Sequence, residues 1–229
     1  MKPFLRGLPR PAAVAHRGGA RAYPENTLVA FERALKQHHM DVLELDVHAS
    51  SDGVLVVAHD STVDRCTDGV GPVSSMSLSQ LKALDAGARF PEWKGKGVQI
   101  PTLDEVLAAF PGARLNIELK HAGPEALLLE TLGRHGALER VCIGSEHDEV
   151  AAQLAELRPE VCRFYPAGAA LQLAMGVWGG EPLAADPRYD VLEVPRVYGG
   201  EVVTTKPFID ACASVGVPVM VWVVDAADE

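Results

Sequence analysis

The residues with chemistry to offer begin with two carboxylates and a histidine gathered in the stretch 42–60, VLELDVHASSDGVLVVAHD. If 42–48 is a strand, Glu44 and Asp46 are two apart and leave the same face, a spacing suited to clamping a divalent metal. The next apolar run, VLVVAH, follows after too few residues for the crossover that a parallel strand needs, so it should fold back as a hairpin. With the turn at 50–53, and Asp52 and Gly53 supplying turn chemistry, the register sets His59 opposite Glu44. Acid, base and metal ligands would then meet on one face. A slip of one residue would turn His59 to the other side, and an amphipathic hairpin with its polar face in water satisfies the same spacing.

Two other stretches present similar groups. The short apolar run AAVA, 12–15, ends in His16, Arg17, Gly18 and Gly19, where a glycine pair lets the backbone turn tightly and approach a ligand. In RLNIELK, 114–120, Asn116, Glu118 and Lys120 alternate onto one face. A lone Glu/Lys pair is usually a surface ion pair worth little. A third carboxylate at the C-terminal end of a strand nevertheless argues against a merely solvated hairpin. The remaining histidines, such as His38, His39 and His121, read as surface or supporting groups.

The elements that must position these residues alternate. PENTLVAFERALKQHH starts a helix with Asn26 or Thr27 as cap and Leu28, Phe31 and Leu35 at helical spacing; Glu25 and Asn26 read as capping groups rather than catalysts. Residues 61–100 are rich in Gly, Pro, Ser and Asp and carry one modest helical signal, SLSQLKALDAG, with Gly87 as its C-cap. An insertion of that length at such a position is expected to be a lid or binding loop over the barrel mouth. Thr102 and Glu105 then form a capping box.

Helices PEALLLETLGRH, DEVAAQLAEL and KPFIDACASVG alternate with strands RVCIGS, VCRFYP, DVLEVP and VPVMVWVVD, leaving 167–186 unassigned. Omitting the returning hairpin arm, seven parallel strands are expected. The reading is an α/β fold, a TIM (β/α) barrel formed as one domain over 1–229, with active residues at strand C-termini. A doubly wound sheet is the alternative, but no GxGxxG opens the first helix, so a dinucleotide has no support. Asp225 is read as the cap of a further helix, and the closing eighth strand as absent from the chain.

Composition narrows the partners. At 229 residues and 48% hydrophobic content, a substantial core can be buried. A formal net charge of −10 speaks against nucleic acid or an anionic membrane as partner, so an anionic substrate must find a local positive site. No apolar run approaches the ~18 residues of a membrane span, and no continuous apolar segment marks a secretory signal. Cys66, Cys142, Cys162 and Cys212 show no CxxC spacing, which fits reduced cysteines in a cytoplasmic protein.

The ordered set HRGG at 16–19, PENTLVAF at 24–31, LELDV at 43–47, DGVLVVAHD at 52–60, IPTLDEVL at 100–107, LNIELK at 115–120 and VPVMVWVVD near the end resembles the glycerophosphodiester phosphodiesterase family. The resemblance implies a TIM-barrel phosphodiesterase that uses one divalent cation to release glycerol 3-phosphate and an alcohol. It implies Glu44, Asp46 and Glu118 as metal ligands, His16 and His59 as the acid/base pair, and Arg17 and Lys120 as phosphate contacts. Carboxylates suit a hard cation, Mg²⁺ or Ca²⁺, with Mn²⁺ also admissible. Trp222 could pack against the glycerol moiety or fill the core. The family also resembles phosphatidylinositol phospholipases, which suggests attack by the glycerol 2-hydroxyl through a cyclic phosphate, with direct attack by water as the other route. A lysophospholipase D on the same scaffold, or a non-catalytic metal- or phosphate-binding protein, are the rival functions.

Overall fold

The computed structural model describes residues 1–180 and 182–224. In chain order its elements are β1 (Val14–Ala15), α1 (Leu28–Lys36), β2 (Val42–Ala49), β3 (Leu55–Val57), α2 (Leu78–Lys82), α3 (Leu103–Ala109), β4 (Arg114–Leu119), α4 (Glu125–Arg134) and β5 (Val141–Gly144). There follow α5 (Asp148–Leu157), β6 (Cys162–Arg163), α6 (Ala167–Gly179), β7 (Leu192–Pro195), β8 (Val197–Tyr198), β9 (Glu201–Val202), α7 (Lys206–Ser214) and β10 (Val219–Trp222). Parallel pairing runs β1-β2-β4-β5-β6, and a single parallel bridge, Phe164 to Val191, leads on to the β7–β10 pair. These are the seven parallel strands the alternation predicts, wound as a (β/α) barrel. The expected cap at Asp225 and any closing strand lie outside the described residues.

Strand alternation divides the core in two. One set of side chains, including Leu43, Leu45, Val47, Leu115, Ile117, Leu119 and Ile143, packs outward on the helices with Phe31, Leu103, Val106, Leu128 and Leu154. The other set faces into the barrel, where Val42, Cys142, Cys162, Phe164 and Val191 close its lower end around Phe4 from the N-terminal turn Pro3–Leu5. Positions of that same parity, higher on the strands, are Glu44, Asp46, Asn116, Glu118 and Glu193. Parallel register sets Glu44 beside Asn116 and Asp46 beside Glu118.

The 50–53 turn forms as expected, with the Gly53 N–H donating to the Ser50 carbonyl at 3.0 Å. The register does not. Val47 pairs with Val57 and Ala49 with Leu55, one residue away from the expected pairing. The ladder ends at Val57; the Ala58 N–H still reaches the Asp46 carbonyl at 3.0 Å, and His59 therefore has no ladder partner and does not sit opposite Glu44.

Residues 61–100 carry a small core of their own, Val63, Val73, Leu81, Ala86 and Ile100 packed on Val56. Their return is pinned where the Val57 N–H donates to the Pro101 carbonyl at 2.8 Å. The helix in this segment stops at Lys82, with Ala83 as C-cap. Gly87 is no cap: a Cβ there would stand 2.6 Å from the Trp93 carbonyl oxygen, so its smallness serves packing. The Thr102/Glu105 capping box is present, and the unassigned 167–186 contains the helix α6.

Candidate active site

The site is assembled at the C-terminal ends of the inner strands, starting with the turn after β1. Arg17 adopts φ +51°, a left-handed conformation unusual for a side-chain-bearing residue. It is held there by its N–H, which donates to Glu44 Oε2 at 2.7 Å, and by its carbonyl, which accepts from the Asn26 N–H at 2.9 Å. Gly18 must be glycine: φ is +77°, and a Cβ would lie 2.9 Å from both the Ala30 Cβ and the Phe31 ring. That contact seats the turn on α1, whose cap is Thr27.

The residues just before that cap therefore point into the site. Asn26 Nδ2 donates to Asp46 Oδ2 at 2.9 Å, and Arg17 Nη1 donates to Glu25 Oε1 at 3.2 Å. Glu25 and Asn26 are thus not the capping groups the sequence suggests: Thr27 supplies the cap and leaves both for the site.

Asp46 is fully buried among cations and donors: Arg17 Nε lies 3.6 Å from Oδ2 and Lys120 Nζ 3.6 Å from Oδ1. Lys120 also approaches Glu118 Oε2 at 3.1 Å. Burial works against the Lys120 ammonium, yet the Glu118 and Asp46 carboxylates push its pKa upward, so it stays charged. Burial lifts Glu44 well above the ordinary carboxylate range, with Asp46 and Glu193 adding to it. Glu118 is raised by burial and by Asp46, against the opposing pull of Lys120. Four buried atoms lack a hydrogen-bond partner here, Arg17 Nε, Glu118 Oε1, Asn26 Oδ1 and Asn116 Oδ1, and the first two bear on ligand charge. The first is a donor for an anion and the second an acceptor for a cation.

Burial, and then the Arg17 charge, lower the pKa of His16, so it is neutral at neutral pH. His59 is fixed through its other neighbour, its Nδ1 standing 2.7 Å from Asp60 Oδ1. Because a carboxylate only accepts, that nitrogen carries the proton and Nε2 is left for proton exchange. His48 Nε2 donates to the His59 carbonyl at 3.1 Å, and the His48 ring stacks on His121 with centroids 5.4 Å apart. His121 is thus a supporting residue, its Nε2 accepting from the Ala49 N–H at 3.1 Å.

The structure gathers His16, Arg17, Glu44, Asp46, Glu118 and Lys120 at one mouth, with His59 at its rim despite the slipped register. Trp222 stands apart, half exposed at the end of β10. Alternation turns it to the same face as Met220, whose sulfur is 3.8 Å from Asn116 Nδ2. Glu193 was missed: its Oε1 accepts from Asn116 Nδ2 at 2.8 Å, and burial pushes its carboxyl up to about 8. The signal was a lone carboxylate inside the apolar strand VLEVP. Arg65 and Asp60 were missed too; adjacency to His59 pointed to Asp60, and nothing local pointed to Arg65.

Among the described residues no group of three His, Cys, Asp or Glu side chains is placed to hold a metal ion. The donor set nonetheless fits a hard cation. Glu44 and Glu118 are oxygen donors destabilised as anions, Asp46 joins them, and Glu118 Oε1 has no partner.

Comparison with known proteins identifies the family. The model of the glycerophosphoryl diester phosphodiesterase family matches residues 16–229. A glycerophosphodiester phosphodiesterase of Caldanaerobacter subterraneus is 33% identical over 225 residues, covering 94% of this chain and 86% of that protein. Among solved structures, a glycerophosphodiester phosphodiesterase from Agrobacterium tumefaciens is 33% identical with a TM-score of 0.74, covering 91% of this chain and 85% of the other. An Oleispira antarctica phosphodiesterase, solved in complex with its product sn-glycerol-3-phosphate, is 28% identical with a TM-score of 0.77, covering 96% and 86%. The turn that begins the site at His16 is also where the match to the family begins, and the chain belongs to the glycerophosphoryl diester phosphodiesterase family.

Proposed function

We propose that this phosphodiesterase hydrolyses glycerophosphodiesters to glycerol 3-phosphate and an alcohol by histidine acid/base catalysis at the mouth just described. The observation that carries the reading is the pairing of a neutral His16 with a His59 whose Nδ1 is engaged by Asp60, beside Arg17 Nε, which has no hydrogen-bond partner. Arg17 offers a planar fork to the phosphate oxygens and Lys120 a point charge. His16 is the base in the resting site, and His59 exchanges the other proton through Nε2, each contributing ~10²- to 10⁴-fold in rate. The nucleophile is either the glycerol 2-hydroxyl, which gives a cyclic phosphate, or water. Trp222 supplies an apolar wall for the glycerol.

Glu44, Asp46 and Glu118 would hold one divalent cation, Mg²⁺ or Ca²⁺, with Mn²⁺ also accommodated by oxygen donors. Bound there, it would polarise a phosphoryl oxygen and lower the pKa of a neighbouring hydroxyl or water. We assign the reaction to the cytoplasm on the strength of the unpaired cysteines; no helix among the described residues is long and apolar enough to cross a membrane.

The test is release of glycerol 3-phosphate from a panel of glycerophosphodiesters after chelation, and again with Mg²⁺, Ca²⁺ or Mn²⁺ restored. Metal-dependent release that falls at least ~10²-fold in His16→Ala is the expected result. Near-normal turnover in His16→Ala overturns the acid/base assignment. No turnover with any metal overturns the hydrolase reading in favour of binding alone.

A further inference from the structure

Arg65 lies in the 61–100 segment, outside every strand end that contributes to the site. Its guanidinium nevertheless makes four hydrogen bonds to two carboxylates. Nη1 and Nη2 donate to Glu25 Oε2 and Oε1 at 2.7 and 2.8 Å, while Nε and Nη2 donate to Asp60 Oδ2 and Oδ1 at 2.7 and 3.0 Å. Both carboxylates are engaged on both oxygens. An exposed arginine with one acidic neighbour is normally worth little, but here each partner already holds a residue of the reaction. Glu25 Oε1 also accepts from Arg17, and Asp60 Oδ1 is the atom that fixes His59.

We propose that Arg65 is a positioning residue: by bolting Glu25 and Asp60 to one planar group, it fixes the Arg17 guanidinium and the His59 imidazole relative to each other. The inference rests on the reading above, in which Arg17 holds the phosphate and His59 exchanges a proton with it. The two groups are 42 residues apart in sequence, on opposite sides of β2 in chain order. Asp60 is carried by the loop that follows β3, and Glu25 by the approach to α1. A rigid fork bonded to both ties the two loops to one plane, which a flexible single-point ammonium cannot do. Burial and the two hydrogen-bonded carboxylates act oppositely on the guanidinium, and the carboxylates prevail, keeping it charged throughout.

The experiment compares Arg65→Gln, Arg65→Lys and His59→Asn with the unaltered enzyme on the best glycerophosphodiester. The expected loss in kcat for Arg65→Gln is ~10²-fold, the effect of roughly 1 Å misplacement, with the melting temperature kept within a few degrees. Added guanidinium ion should restore at least tenfold in Arg65→Gln and nothing in His59→Asn. The ¹⁵N spectrum of His59 should move from the Nδ1–H tautomer toward a mixture of tautomers. If Arg65→Gln does not fold, Arg65→Lys carries the test, because it keeps the charge but cannot span four oxygens; its kcat should fall at least tenfold. Turnover within threefold of normal in the folded variant, or an unchanged His59 tautomer, overturns the proposal. Were His59→Asn also fully active, the reading beneath it would fail instead.

Discussion

Glu193 carries its proton at neutral pH, since burial, with the charges of Glu118 and Asp46, pushes its carboxyl up to about 8. The unfolded chain gives that proton up near the ordinary glutamate value of 4.5. Between those two values the native state binds more protons than the unfolded one, so stability falls as pH rises. Glu193→Gln, which keeps the hydrogen bond with Asn116 but has no proton to lose, should therefore be more stable than the parent at pH 7. The gain should be on the order of 2–3 kcal/mol and should vanish below pH 4.5. Urea unfolding at pH 4 and pH 7 measures it, and an equal gain at both would show that packing, not protonation, is responsible. Adding the divalent cation should shrink the pH 7 difference, because positive charge near the inner carboxyls favours their ionised forms.

At the scale of the element, the 61–100 segment is tied to the barrel through charge as well as through its small core. Arg65 and Arg17 draw the Glu25 pKa below its ordinary 4.5 against the opposing effect of burial, and Arg65 holds Asp60 below 3.8. Depressed carboxylates give stability that is complete above the unfolded values and is lost as pH falls through the folded ones. Arg65→Gln should thus cost about 1–2 kcal/mol at pH 7, allowing for a half-exposed guanidinium. That cost should shrink steadily below pH 4.5, which urea titrations of both proteins would reveal; a cost independent of pH would assign it to packing. This element also marks what the sequence made legible. Glu44, Asp46 and Glu118 followed from two-residue spacing, and Thr102 with Glu105 from a local capping pattern. The hairpin register did not follow, because one extra residue of loop decides it. Nor did Arg65, whose partners are 5 and 40 residues away and leave no periodic trace.

For the whole molecule, the division of inner from outer strand positions separates chemistry from stability. Outward residues bind the helices, inward ones form the mouth at one end and the floor at the other. Phe4, 1% exposed, is the plug of that floor, anchored by Lys2 Nζ donating to the Pro159 carbonyl at 2.5 Å. Phe4→Ala should cost about 3–5 kcal/mol without altering KM, as denaturant unfolding beside steady-state kinetics would show; a changed KM would mean that the floor and the mouth communicate. The plug also has a history during synthesis. Residue 4 is synthesised well before its partners on the late strands, of which Val191 follows it by roughly 10–40 s at 5–20 residues per second. Through that interval the nascent barrel has an unsealed apolar base and a loose aromatic anchor, so holding chaperones should engage the growing chain until the seventh helix is under way.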